Sequence, residues 1–145
     1  MTKENHTVPN VSPAPEPDAE TVAVLSQLTD ETALLAYARM RAAAGDTAAA
    51  EAVYRTCLER RPDSREALLA LGTLYEQTRR LAEALKLYDG AVAAAPDFAE
   101  AYRQRGAVKF RLNDRLGAFD DLKKALALRP DLGEAFDGLL SNGRQ

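Results

Sequence analysis

The sequence predicts an all-α solenoid, and two observations carry that expectation. Pro62, Pro96 and Pro130 recur at a fixed 34-residue step, inside the related stretches ERRPDSREALLALG, AAAPDFAEAYRQRG and LALRPDLGEAFDGL. A period of this size means one supersecondary unit stacked on copies of itself. The chain is also 46% apolar, with alanine and leucine prominent and β-branched residues few, a balance that favours helices. Tryptophan is absent and only four phenylalanines and five tyrosines are present. The core must therefore be made of small side chains, which let helices approach closely.

The elements follow in order. Residues 1–18 contain Pro9, Pro13, Pro15 and Pro17 and almost no large apolar side chain. Such a segment buries too little surface to offset its ordering entropy, and it reads as a disordered, polyproline-leaning, acidic tail. From Ala19 to Leu28 the residues Val22, Leu25 and Leu28 recur every three positions behind Asp18 as N-cap. This predicts a short helix over 19–30 that covers the first repeat.

Thr29 and Asp30 open a helix over 31–44 bearing Leu34, Leu35, Tyr37, Ala38 and Arg41, which Gly45 ends. Asp46 caps a second helix over 47–59 whose Ala50, Val53, Tyr54, Cys57 and Leu58 form one apolar stripe. Pro62 then keeps Arg61 out of helical geometry. The layout repeats with helices over 65–78 and 81–94, then 99–112 and 115–128, the last pair broken at Asn113-Asp114. After Pro130, Asp131 is placed to cap a last short helix on which Phe136, Leu139 and Leu140 face one way.

These positions resemble the tetratricopeptide repeat. Leu68, Leu71, Gly72, Tyr75, Ala84, Tyr88, Ala91 and Pro96 carry its pattern throughout. Tyr102, Gly106, Ala118, Leu122, Ala125 and Pro130 carry it in the third copy, and Leu34, Ala38, Ala50, Tyr54, Cys57 and Pro62 in the first. The resemblance implies a right-handed α-solenoid of three helix-turn-helix units, 31–64, 65–98 and 99–132, with a C-terminal capping helix over 133–145. It makes Ala38, Gly72 and Gly106 the small residues where each helix pair crosses, and Cys57 a buried packing residue. Arg105 and Lys109 depart from the pattern. Long aliphatic stems that cover apolar surface while their charges reach water explain them more simply than an ion-paired neighbour does.

The resemblance also implies a function. Successive first helices of this family line a concave face that receives peptides. The inward candidates are Leu35, Arg39 and Ala42, then Leu69, Thr73 and Glu76, then Arg103, Ala107 and Phe110. This face suits a peptide or helix with aliphatic anchors, its acidic groups pairing with Arg39 and Arg103. The registers that chaperone-tail adaptors of the family use to clamp a C-terminal carboxylate hold Leu35, Arg39, Ala70, Glu100 and Gln104. Only Arg39 is suitably charged, so such a clamp is not expected.

Charge and composition narrow the rest. Residues 1–30 hold one lysine against five acids, whereas the remainder is nearly balanced. No basic stripe faces a phosphate backbone, which argues against nucleic acid. The lone Cys57, and the lone His6 in the tail, exclude an intramolecular disulfide and a Cys/His metal cluster. No apolar run approaches a membrane span, and a cytoplasmic protein is expected. Asp120-Asp121 reads as a solvated face, and no acid, base or nucleophile is set for catalysis, so neither an enzyme nor a cofactor is expected. The leading expectation is a protein-protein interaction adaptor. The alternative is a scaffold that forms homo-oligomers through its terminal helices.

Overall fold

The computed structural model describes residues 16–134. Seven α-helices follow one another among them: α1 (Ala19–Gln27), α2 (Glu31–Ala43), α3 (Thr47–Arg60), α4 (Arg65–Gln77), α5 (Leu81–Ala94), α6 (Ala99–Arg111) and α7 (Arg115–Leu128), then a 3₁₀ turn at Pro130–Leu132. Helices α2 with α3, α4 with α5 and α6 with α7 form hairpins, and α3 packs on α4 and α5 on α6. The result is an all-α solenoid. The expectations for the tail before residue 16, and for Phe136, Leu139 and Leu140, lie outside the described residues.

Two local devices set the spacing, and both recur with the sequence period. Each first helix ends in a Schellman turn: the amides of Asp46, Arg80 and Asp114 donate to the carbonyls of Arg41, Tyr75 and Lys109 at 2.9, 2.7 and 2.8 Å. The residue before each of those amides takes positive φ, at Gly45 (87°), Arg79 (63°) and Asn113 (68°). Each second helix then stops before its proline, with Arg61, Ala95 and Arg129 at φ −139° to −140° and ψ 83° to 91°. Proline excludes the α region for the residue in front of it. Asp18, Asp30, Asp46, Ser64 and Asp114 each accept a bond from the backbone amide three residues on, capping α1, α2, α3, α4 and α7. Asp131 lies in the 3₁₀ turn and pairs with Arg129 at 2.5 Å; residues 133 and 134 are helical, and the rest of the predicted last helix lies outside the described residues.

Within each hairpin the helices touch through small residues. Ala38 and Ala50 are fully buried, as is Ala84 opposite Gly72. A Cβ added at Gly72 would come within 3.0 Å of three carbons of the Tyr88 ring. Around this seam Leu34, Val53, Cys57, Leu71, Leu74 and Tyr88 form the main core cluster, onto which Val24, Leu25 and Leu28 of the α1 segment pack. Helix α1 is also tied by Arg41, which bonds Asp18 at 2.8 Å and Asp46 at 2.5 Å, and by Arg60, which donates to the carbonyls of Leu25 and Leu28.

The third hairpin departs from the other two in a coordinated way. Leu71, Tyr75 and Leu87 of the second hairpin are replaced one period later by Arg105, Lys109 and Asp121. Asp121 is 4% exposed, which overturns its expected place on a solvated face, whereas Asp120 is exposed. Its carboxylate accepts two bonds from Arg105, at 2.7 and 2.8 Å, and pairs with Lys109 at 3.1 Å. Arg105 also reaches Asp89 at 3.0 Å. The charges of Arg105 and Lys109 are therefore spent on a buried carboxylate rather than released to water. Two leucines and a tyrosine have been exchanged for an ionic trio at the same three positions.

Removing one member of such a group strands the others, whereas exchanging all of it does not. Asp121→Ala should lower unfolding stability by about 3 kcal/mol. The triple exchange Arg105→Leu, Lys109→Tyr, Asp121→Leu should match or exceed the parent. Urea denaturation followed by circular dichroism checks both, and a triple variant less stable than Asp121→Ala would contradict the exchange.

Candidate functional site

Helices α2, α4 and α6 stand side by side, and the spaces between them form two adjoining grooves. The first, of about 550 Å³, lies between α2 and α4 and is lined by Arg39, Ala42, Ala43, Tyr54, Leu69, Ala70, Thr73, Leu74 and Phe98, with Glu66 and Gln77 also on its wall. Its lining is mostly apolar. The second, of about 620 Å³, is bounded by Thr73, Glu76, Gln77, Arg79, Gln104 and Arg111 and is polar.

The grooves bring together part of the predicted set. Arg39, Ala42, Leu69 and Thr73 share the first, and Thr73 and Glu76 share the second. Leu35 is 5% exposed and lies in the core cluster. Arg103, Ala107 and Phe110 line neither groove; Phe110, 59% exposed, stands at the α6 end of the row. Sequence reasoning missed Gln77 and Phe98 as wall residues, and treated Tyr54 as packing alone. The signal was available one period on, where Tyr88 aligns with Tyr54 and Glu76 with Ala42.

The charges along this face are unevenly used. Arg103 is held by Glu100 of the preceding turn, through Nε at 3.0 and 3.1 Å. That bond raises the arginine and lowers the glutamate from their ordinary pKa values. Glu76 accepts a bond from the Tyr88 hydroxyl and one from Arg111 at 3.3 Å. Burial first, and then the Glu76 carboxylate, push the Tyr88 phenol well above its usual range. Glu66 is matched by Arg65 at 3.0 Å. Arg39, by contrast, is exposed and makes no ion pair among the described residues. The acids near the tail are likewise committed, since Asp18 and Glu20 lie on Arg41 and Asp30 caps α2.

Behind the first groove a polar cluster fastens the hairpins together. Glu51 of α3, 6% exposed, accepts from the Tyr75 hydroxyl at 2.9 Å and pairs with Arg80 at 2.9 Å and Arg55 at 2.7 Å. The Arg80 guanidinium also lies 4.0 Å over the Tyr75 ring. Among the described residues no group of three or more His, Cys, Asp and Glu side chains could hold a metal ion, and no helix is long and apolar enough to cross a membrane.

Cys57 is 2% exposed in the core, and burial first, then Glu31, raises its thiol above the usual value. A buried, protonated thiol is a poor nucleophile. In the native protein at neutral pH it should react with an aromatic disulfide reagent at least about a hundredfold more slowly than in guanidinium; comparable rates in both would show that the site opens.

Comparison with known proteins places this geometry. Residues 34–99 match the tetratricopeptide repeat family model. The first TPR domain of RPAP3 (Spaghetti), solved with the HSP90 peptide SRMEEVD bound, superposes with a TM-score of 0.70 at 23% identity, covering 77% of this chain and 88% of that one. The human RPAP3 domain gives the same score and identity. MamA superposes at 0.68 and 20% identity over 77% of this chain and 65% of its own. The O-GlcNAc transferase of Thermobaculum terrenum is 30% identical at a TM-score of 0.68 over 84% of this chain, which spans only 22% of that enzyme. No curated protein matches the chain.

Proposed function

The chain is a tetratricopeptide-repeat protein, and from that premise we propose that it is a non-enzymatic adaptor whose inner face, across α2, α4 and α6, captures a peptide or helix of a protein partner. The observation that carries this reading is the apolar groove between α2 and α4, with Leu69, Leu74 and Phe98 in its walls. A concave, apolar surface with a few polar groups is what a peptide with aliphatic anchors requires. The RPAP3 domain, on the same fold, was solved with a peptide bound. A partner segment is proposed to run from Arg39 and Ala42, over Leu69 and Thr73, to Glu76, Arg103, Ala107 and Phe110.

The test uses the intact protein as bait in an extract of its own cells, with captured proteins identified by mass spectrometry. Leu69→Ala with Phe110→Ala should reduce specific capture about tenfold, the loss expected when apolar anchors lose their contacts, while helical ellipticity stays unchanged. Undiminished capture would place binding elsewhere on the molecule.

A second reading, self-assembly, has its own observation. Leu116 and Phe119, one turn apart on α7, are 82% and 65% exposed, and Leu112 beside them is 43% exposed. Their counterparts one period earlier are alanine and a half-buried leucine, Ala82 and Leu85. Large apolar side chains exposed together on one helix favour docking of another copy. If so, light scattering should show a mass that rises with concentration, and Leu116→Ser with Phe119→Ser should return it to that of the monomer. A constant monomer mass at high micromolar concentration would remove this reading.

A further inference from the structure

The solenoid carries its own template for what its groove binds. Position by position, Arg39, Ala42 and Gln77 of the first groove correspond one period later to Thr73, Glu76 and Arg111 of the second, and Tyr54, which lines the first, corresponds to Tyr88, which is buried and bonded to Thr73 and Glu76. In the second set the Glu76 carboxylate is the centre: the Tyr88 hydroxyl donates to one oxygen and Arg111 to the other at 3.3 Å, with Thr73 Oγ1 3.4 Å from the phenol. In the first set the donors remain and the acceptor is missing. Ala42 stands where the glutamate would, Tyr54 replaces Tyr88, and Gln77 replaces Arg111.

Tyr54 itself is the second observation. The residue is 3% exposed, yet its hydroxyl has no hydrogen-bond partner among the described residues, whereas the Tyr88 hydroxyl has two. Arg41 Nε is the one buried side-chain nitrogen or oxygen left unpartnered among those residues. The Tyr54 hydroxyl is therefore not sealed in the core; it meets solvent through the groove it lines. With no protein acceptor on it, that hydroxyl is free to donate to an acceptor that enters the groove in place of solvent. Burial also raises the pKa of Tyr54, so it stays a neutral donor at physiological pH. Arg39 lines the same space without an ion pair, and Gln77 adds an amide. The cavity's one carboxylate, Glu66, is matched by Arg65.

We infer that the α2–α4 groove binds the carboxylate of a glutamate side chain on the partner segment. The carboxylate occupies the place that Glu76 fills one period later. It accepts from the Tyr54 hydroxyl and pairs with Arg39, while aliphatic neighbours of the glutamate rest on Leu69, Leu74 and Phe98. This inference rests on the groove reading above and specifies its ligand. Arg103 plays no part, because Glu100 already holds it.

Fluorescence anisotropy on the full chain tests this with two labelled heptapeptide pools, aliphatic-rich at random flanks and fixed as glutamate or glutamine at the centre, in about 0.15 M salt. The glutamate pool should bind about tenfold more tightly, as a charge-assisted bond in a partly desolvated site implies. That preference should vanish in Arg39→Gln, in Tyr54→Phe, and in Ala42→Glu, which builds the missing carboxylate into the protein. All three variants should keep wild-type ellipticity.

Equal affinity of the two pools overturns the inference and leaves the groove reading standing. A glutamate preference that survives both Arg39→Gln and Tyr54→Phe also overturns it, as does failure of both pools to bind. If capture from extract is in addition unaffected by the Leu69 and Phe110 substitutions, the groove reading falls as well.

Discussion

The close approach of the two helices in each hairpin is the constraint on which the rest depends. A Cβ at Gly72 has no room against the Tyr88 ring, and Ala38, Ala50 and Ala84 are fully buried on the same kind of seam. Interiors at this density transmit any added methyl to their neighbours. Because the seam fixes how the helices of a hairpin meet, the left-handed residue at Gly45, Arg79 and Asn113 and the extended residue before each proline need only reproduce one geometry three times. Stacking follows: a hairpin with one closed seam still has an apolar face, and the next hairpin covers it.

With the backbone repeated so closely, the polar fasteners can differ from copy to copy without altering the architecture. The position held by Arg41, Tyr75 and Lys109 makes the point. Arg41 ties α1 to the turn at Asp46, Tyr75 reaches Glu51 across the hairpin junction, and Lys109 joins Arg105 on Asp121 within its own hairpin. One register thus serves as an N-terminal anchor, an inter-hairpin bond and an internal ion pair. The buried carboxylates Glu51 and Asp121 are matched, as low-dielectric surroundings demand. Burying Asp121 against Arg105 and Lys109 adds no evident stability over the two leucines and tyrosine of the central hairpin, but it leaves that hairpin unlike the central one on its flank.

Much of the fold was legible because its signals are periodic and local. Prolines mark the ends of second helices, small residues mark crossings, and Asp18, Asp30 and Asp46 cap the helices they precede. What sequence reasoning could not supply were pairings across helices. Asp121 looked like one of two adjacent solvated acids until Arg105 and Lys109 of the facing helix closed on it. Arg103 looked free for a ligand, yet Glu100 one turn back neutralises it. Leu35, placed by register on the inner face, is 5% exposed in the core cluster onto which Val24, Leu25 and Leu28 of the α1 segment pack. Asp121 and Leu35 depend on which face of a helix meets a neighbour, which the period alone does not state, whereas the Glu100–Arg103 pair is three residues apart on one helix and was open to reading from the spacing.

The same comparison between copies explains why the inner face is not uniform. In the α4–α6 groove, Glu76, Tyr88 and Arg111 satisfy one another, so a ligand there would displace bonds already made. In the α2–α4 groove, Arg39 and the Tyr54 hydroxyl are unmatched and the walls are apolar. Binding free energy is gained where the free protein leaves groups unsatisfied, not where it has already satisfied them. An internally repeated protein distinguishes its sites by subtraction as much as by addition. Here a single position, alanine at 42 against glutamate at 76, turns a closed polar cluster into an open one.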